Sequence, residues 1–258
     1  MNLSSPPPIK VLAYADDTLV VLRNPTEFTH LQDTINKYTL ASNAALNYNK
    51  TQALSLSGKL HTNWISFLQD QGITSWHDNT ASEPLTYLGF AICSSARQRA
   101  HYATSIISKL RSYCQLHSSR SLTYRGRVTI INALLFSKLW HVMRLFTFSA
   151  LEIQQLQQIA STFINRGSKI SRFSFTHLTL PLNQGGLKLI NPATQANALQ
   201  WRWLYFLIHP PQTSPLLMPS IPILRYTLNY ILSTEEYPSY HWSLLLTVDR
   251  PHLVALAP

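Results

Sequence analysis

"VLAYADDTLVVL", residues 11–22, sets two adjacent carboxylates, Asp16 and Asp17, inside an otherwise apolar run. Carboxylates are the side chains least willing to enter an apolar environment without a partner, so their position needs a reason. Residues 9–14, "IKVLAY", and 18–23, "TLVVLR", are apolar and rich in β-branched residues, and only three residues separate them. The pattern predicts a β-hairpin with Ala15, Asp16 and Asp17 at its turn. Each arm is apolar at nearly every position, which predicts cover on both faces.

Downstream of the hairpin, "NPTE" supplies a helix start: Asn24 as cap, Pro25 in the first turn and Glu27 where a capping-box acid stands. Phe28, Leu31, Ile35, Tyr38 and Ala41 keep helical spacing and carry the helix to about Ala45. "LNYNKTQALSLSG" then predicts an Asn-rich turn and a short strand closing at Gly58, residues 60–83 a connection holding a short helix, and "LTYLGFAIC" (85–93) another strand. From about residue 97 the pattern turns helical. Val128, Ile131, Leu135, Leu139, Val142 and Phe146 line one face of a long helix; further helices are expected at 150–164 and over "ATQANALQWRWLYFLI", with "PLNQGGLKL" (181–189) as turn and strand. The fold class is therefore α+β. After His209 eight of the fifteen prolines crowd together, predicting loops and short helices.

Charge divides the chain. Overall, 21 Lys and Arg oppose 11 Asp and Glu, a formal +10 that attracts polyanions. Between Arg97 and Arg172 twelve basic residues face a single acid, Glu152, whereas the first ninety residues hold most of the acids. Cys93 and Cys114 stand far apart without CxxC or His partners, so neither a disulfide framework nor a zinc site is indicated, and a reducing intracellular compartment, nucleus or cytoplasm, is expected. The start does not read as a signal peptide. The most apolar stretch, 128–148, carries Lys138, His141 and Arg144 at its centre, which argues for a protein-buried helix and against a membrane span.

Paired aspartates at a hairpin turn have two uses. Asp is ordinary turn chemistry, solvated and able to bond its own backbone. Two carboxylates on a stiff turn are also a mount for Mg2+, which takes oxygen ligands from one or two carboxylates plus substrate phosphates.

The residues carry a resemblance. Tyr14-Ala15-Asp16-Asp17 resembles the YxDD box of reverse transcriptases, and "AYADDTLVVL" the form found in non-LTR (LINE-type) retrotransposons. "LNYNKT" (46–51), "YLGF" (87–90), and "YRGRVTIINALLFSKLWHV" followed by "PLNQGGLKL" resemble, in order, the motif after the intervening helix, the primer-grip hairpin, and the thumb with its extension. The similarity covers almost all of residues 9–209. It implies a partial palm with hairpin, helix and short strands over 1–95, a helical basic thumb-like region and extension over 96–209, and a Pro-rich tail over 210–258. It further implies that Asp16 is the essential Mg2+ ligand and Asp17 assists, in a two-metal site. Lys50 would neutralise or protonate the pyrophosphate leaving group. Tyr14, with Tyr87, Leu88, Gly89 and Phe90, would lie at the primer end or incoming nucleotide. Arg120, Arg125, Arg127 and Lys138 would track the phosphates of an RNA template and DNA primer.

The family's two-metal site needs another palm aspartate, and its fingers, upstream of residue 9. Asp33, Asp70, Asp78 and Asp249 are not expected beside the hairpin turn. The chain by itself is therefore expected not to polymerise and to leave an apolar strand edge open. Three readings follow: a carboxy-terminal fragment of a LINE-type reverse transcriptase, from a degenerate copy or a truncated gene model; a non-catalytic nucleic-acid-binding module; and a split enzyme completed by a second chain.

Overall fold

The computed structural model describes residues 10–168 and 172–208. Ile9 and the tail 210–258, with the expectations attached to them, lie outside those residues. The described chain is mixed helix and strand, with three two-stranded sheets, so the α+β class holds.

The hairpin forms. Strands β1 (Val11–Tyr14) and β2 (Asp17–Val20) pair antiparallel with Tyr14 opposite Asp17, so the connection is two residues, Ala15 and Asp16, and Asp17 belongs to β2. The expected cover on both faces is absent among the described residues. Val11 is 56% exposed, Leu12 45% and Tyr14 66%, and both aspartates are exposed.

Helix α1 (Pro25–Ser42) starts where Asn24 accepts the Glu27 N–H, with Pro in the first turn. Glu27 reaches back to the Arg23 N–H at 2.8 Å and also takes the Lys10 ammonium at 2.7 Å, which ties the hairpin's first arm to the helix. The helix ends three residues earlier than expected because Asn43 adopts the left-handed conformation (φ 58) and returns its N–H to Thr39. Residues 52–77 form a β–α–β unit in which β3 (Gln52–Leu54) runs parallel to β4 (Ser75–His77), with helix α2 (Thr62–Asp70) between. Strand β4 was not expected, being only three residues long. A small core of Phe28, Leu68 and Ile73, flanked by Leu22, Trp64, Phe67 and Trp76, joins α1 and α2 to this unit.

"LTYLGFAIC" is a hairpin rather than one strand: β5 (Leu85–Tyr87) turns through Leu88 and Gly89 into β6 (Phe90–Ile92). The chain then enters α3 (Ala96–Ser118), capped by Ser95. The expected long helix of 128–146 is three segments, α4 (Tyr124–Ile130), a π-helical turn over Ile131–Leu135, and α5 (Phe136–Met143), and Phe146 lies beyond its end. Helix α6 (Ala150–Ile164) opens on a full Ser149–Glu152 capping box. A short α7 (Phe175–Thr179) and α8 (Pro192–Ile208) complete the layer.

No strand forms over 181–189. A 3-10 turn, Leu182–Gln184, passes through Gly185 in the left-handed region, and the following residues bond back to 178 and 180. Gly186 packs so closely on the Leu180 carbonyl that no side chain fits there. The amide of Asn132, inside the π-helical turn, stands in for a strand partner: it donates to the Lys188 carbonyl and accepts the Ile190 N–H, both at 3.1 Å.

The main core lies between these helices, where Ile131, Phe136, Met143, Leu156 and Ile164 are fully buried. Each such side chain contributes about 1.5–3 kcal/mol on leaving water. Among the described residues no helix is long and apolar enough to cross a membrane.

A buried polar knot ties the β–α–β unit to the helical layer. Asp78 is 1% exposed and accepts the Trp76 indole N–H, the Thr80 hydroxyl and the N–H groups of Thr80 and Ala81. Gln98, on the first turn of α3, donates to the Asp78 and Ala81 carbonyls and accepts the Ser94 N–H. The Thr80 hydroxyl, above all, holds the Asp78 carboxyl below the usual carboxylate range, against the opposing effect of burial.

Two outcomes are expected. Because Asp78 is depressed in the folded state, its contribution is complete above the unfolded value near 3.9 and is lost as pH falls through the lower folded value. Urea denaturation across pH 2–6 should therefore show a limb that Asp78→Asn removes, and an unchanged limb would refute the assignment. In hydrogen exchange, amides of β1 and β2 should exchange faster than those of α5, since eighteen buried residues form the helical core and three the small one.

Candidate active site

The two hairpins share a design and differ in support. In the first, Ala15, the first central residue of the turn, has φ 53, and Asp16 is not among the positive-φ residues. A non-glycine residue there costs on the order of 1 kcal/mol. The tight turn sets Asp16 at the tip and Asp17 directly across from Tyr14, where cross-strand side chains are neighbours. Both carboxylates are exposed. The ion pairs among the described residues are Lys10–Glu27 and Arg99–Glu152, so no described cation pairs with either aspartate. Adjacent like charges repel, and a divalent cation relieves that repulsion. The donor set fits Mg2+ to the extent of two carboxylates; among the described residues no group of three His, Cys, Asp or Glu gathers at any point.

Lys50 ends a 3-10 turn, Tyr48–Lys50, capped by Asn47, whose side chain accepts the Lys50 N–H at 3.2 Å. Its side chain is exposed, and no hydrogen bond or ion pair joins it to Asp16 or Asp17.

The second hairpin is docked. Tyr87 pairs with Phe90 across Leu88 (φ 50) and Gly89 (φ 80), the two positive φ values of a I′ turn. His141, from α5, stacks on Phe90 with ring centroids 4.3 Å apart and its Nε2 sits 3.1 Å from the Leu88 carbonyl, which identifies Nε2 as the protonated nitrogen. Tyr102, from α3, donates to the Gly89 carbonyl at 3.5 Å. A Cβ on Gly89 would stand 3.0 Å from His141 Nε2, so a side chain there meets both an unfavourable backbone conformation and the imidazole.

The basic residues divide by burial. Arg120, Arg125 and Lys138 are exposed, with the Lys138 ammonium 4.5 Å above the Tyr113 ring. Arg127 is not available for phosphates and must be set aside from that group: at 5% exposure it donates to the carbonyls of Phe163, Ser118 and Arg120 and stacks on Phe163. Arg99 is half-buried and engaged within the fold, bridging Glu152 at 2.9 Å and the Thr147 carbonyl at 2.6 Å. The Arg99 guanidinium, with the Ser149 N–H, holds the Glu152 carboxyl below its usual range despite burial.

Sequence reasoning does not assign His141 or Tyr102 to the site. Each acts on the backbone carbonyls of a hairpin distant in sequence, which leaves no trace in spacing. No protein-family model matches the chain, and no curated protein matches it.

The docking of the second hairpin is testable by a double-mutant cycle. Gly89→Ala should cost about 1–3 kcal/mol and His141→Ala about 1 kcal/mol in urea denaturation. The double variant should cost less than the sum, because removing the imidazole vacates the space the new methyl needs. Strict additivity would refute the contact.

Proposed function

We propose that this chain is the palm-and-thumb portion of a LINE-type reverse transcriptase, an RNA-directed DNA polymerase. The observation that carries the reading is the YADD hairpin, with Asp16 in a two-residue turn, Asp17 opening β2, and both carboxylates exposed and paired with no described cation. In the reading, Asp16 and Asp17 would hold Mg2+, which would supply charge stabilisation for phosphoryl transfer. Lys50 offers its exposed ammonium to the departing pyrophosphate. Tyr14, beside Asp17, packs against the primer end or the incoming nucleotide. The turn Tyr87-Leu88-Gly89-Phe90, held by His141 and Tyr102, fixes the primer terminus. Arg120, Arg125 and Lys138 neutralise template and primer phosphates, and Arg127 supports that surface from inside.

Nucleotidyl transfer in this scheme needs a third carboxylate beside the hairpin, and none of the described acids meets the pair. That observation favours a second reading, a nucleic-acid-binding module without catalysis. The two share the basic surface and differ at the metal.

Fe2+ substituted for Mg2+, with ascorbate and peroxide, cleaves backbone near its site. Cleavage is expected around residues 14–18, suppressed by excess Mg2+ and lost in Asp16→Asn. Uniform cleavage along the chain would remove the metal and leave the binding module. In salt titrations with an RNA–DNA hybrid, Arg125→Gln should lower the slope of log K against log salt by about one.

A further inference from the structure

The first hairpin leaves the outer edge of β1 unpaired among the described residues. The Val21 N–H bonds the Lys10 carbonyl at 2.8 Å, and Tyr14 stands opposite Asp17 across the two-residue turn. Antiparallel pairing alternates, so Lys10, Leu12 and Tyr14 turn their backbone groups toward β2, and Val11 and Ala13 turn theirs away. No described residue bonds the outward N–H and C=O groups of Val11 and Ala13.

The two edges of the hairpin differ. β1 is exposed at all four positions and apolar on both faces, with Leu12 and Tyr14 on one and Val11 and Ala13 on the other. In β2, Leu19 and Val20 are half-buried. An exposed apolar edge such as that of β1 is a template for another strand.

Charge along the hairpin is ordered. Its turn end carries Asp16 and Asp17 and its open end Lys10 and Arg23, all four exposed. Lys10 meets Glu27 and keeps further N–H donors on its ammonium, and Arg23 enters no ion pair among the described residues. A second hairpin laid antiparallel beside β1 therefore sets acids beside bases at both ends. Laid parallel, it sets acids on acids and bases on bases.

We propose that β1 pairs antiparallel with β1 of a second copy of this chain, giving a two-fold dimer built on a four-stranded sheet. The two-fold passes beside Leu12. Val11 of each copy then faces Ala13 of the other, and these two pairs exchange every outward N–H and C=O of the edge. Leu12 meets its own equivalent. Lys10 lies across from Tyr14 of the second copy and one diagonal step from its Asp16, within reach of a long side chain. The contact occupies both β1 edges, so assembly stops at two. A strand from another protein offers the backbone groups, whereas a second copy also offers the charge order in the sense that antiparallel pairing demands. The inference does not rest on a metal at Asp16 and Asp17, and its test contains no divalent ion.

Sedimentation velocity of the full chain, freed of nucleic acid, tests it between about 1 and 200 μM, where an interface below standard size dissociates. The sedimentation coefficient should rise with concentration and level at that of a dimer. Ala13→Pro keeps the bonds to β2, because the N–H it removes points away from them, and should abolish the dimer. Asp16→Lys and Lys10→Glu should each weaken self-association by about tenfold or more. An equimolar mixture of those two variants should dimerise again, since unlike charges then meet at both ends. Rescue on mixing separates lost pairing from misfolding. A monomer throughout the range, growth past the dimer, a dimer that survives Ala13→Pro, or no rescue on mixing would each overturn the proposal.

Discussion

Burial of Ile131, Phe136, Met143, Leu156 and Ile164 in one core is the interaction on which the remaining structure rests. It brings α4 against α6 and α5 against α8, and gives α3 a surface on α6, with Ala103, Ile107 and Leu110 in the same core. The arginines that look like a binding surface in the sequence are partly consumed in holding this packing together. Arg99 closes the start of α6 onto α3 through Glu152, and Arg127 closes its end through the Phe163 carbonyl. A guanidinium with carbonyls along its donor edges is a cross-brace, because its planar fork fixes direction as well as distance.

Much of the helical framework is legible in the sequence, since caps and apolar spacing are local. Asn24 and Glu27 announce α1, and the helix expected at 150–164 is α6. The errors have physical causes. The π-helical turn over Ile131–Leu135 shifts the apolar face by one residue, and that shift puts Asn132 where it can hold residues 188–190. A period-based reading runs through such a turn without sensing it, and it assigns to 181–189 a turn and strand where the chain instead bonds back to the Leu178 and Leu180 carbonyls and to the Asn132 amide. Similarly, an Arg that braces carbonyls and an Arg that awaits phosphate have the same letter. Arg127 and Arg125 are separated only by which side of α4 meets Phe163.

The candidate site was legible as motif and not as geometry. Adjacent aspartates in a hairpin turn are visible to the eye; the length of that turn is not. The two-residue connection moves Asp17 from the turn into β2, opposite Tyr14, so the carboxylates are held by different parts of the backbone: Asp17 by ladder pairing, Asp16 by the turn alone.

The two hairpins then differ in a way that bears on chemistry. Both close on a tyrosine and both force a non-glycine residue, Ala15 or Leu88, into the left-handed region. The second is clamped: His141 lies flat on Phe90 and bonds the turn carbonyl, so its strain is held by the helical core. The first rests on a salt bridge between exposed side chains, Lys10 and Glu27, and on Leu22 in the small core. Two strands alone are marginal in water. A metal mount must hold its ligands to within fractions of an ångström, which a four-residue ladder with Val11, Leu12 and Tyr14 in solvent does not ensure. The apolar character of "VLAYADDTLVVL" is thus a separate requirement from its charge. The aspartates attract the cation, while the valines and leucines around them require a covering surface, and only with that surface in place does the turn become stiff.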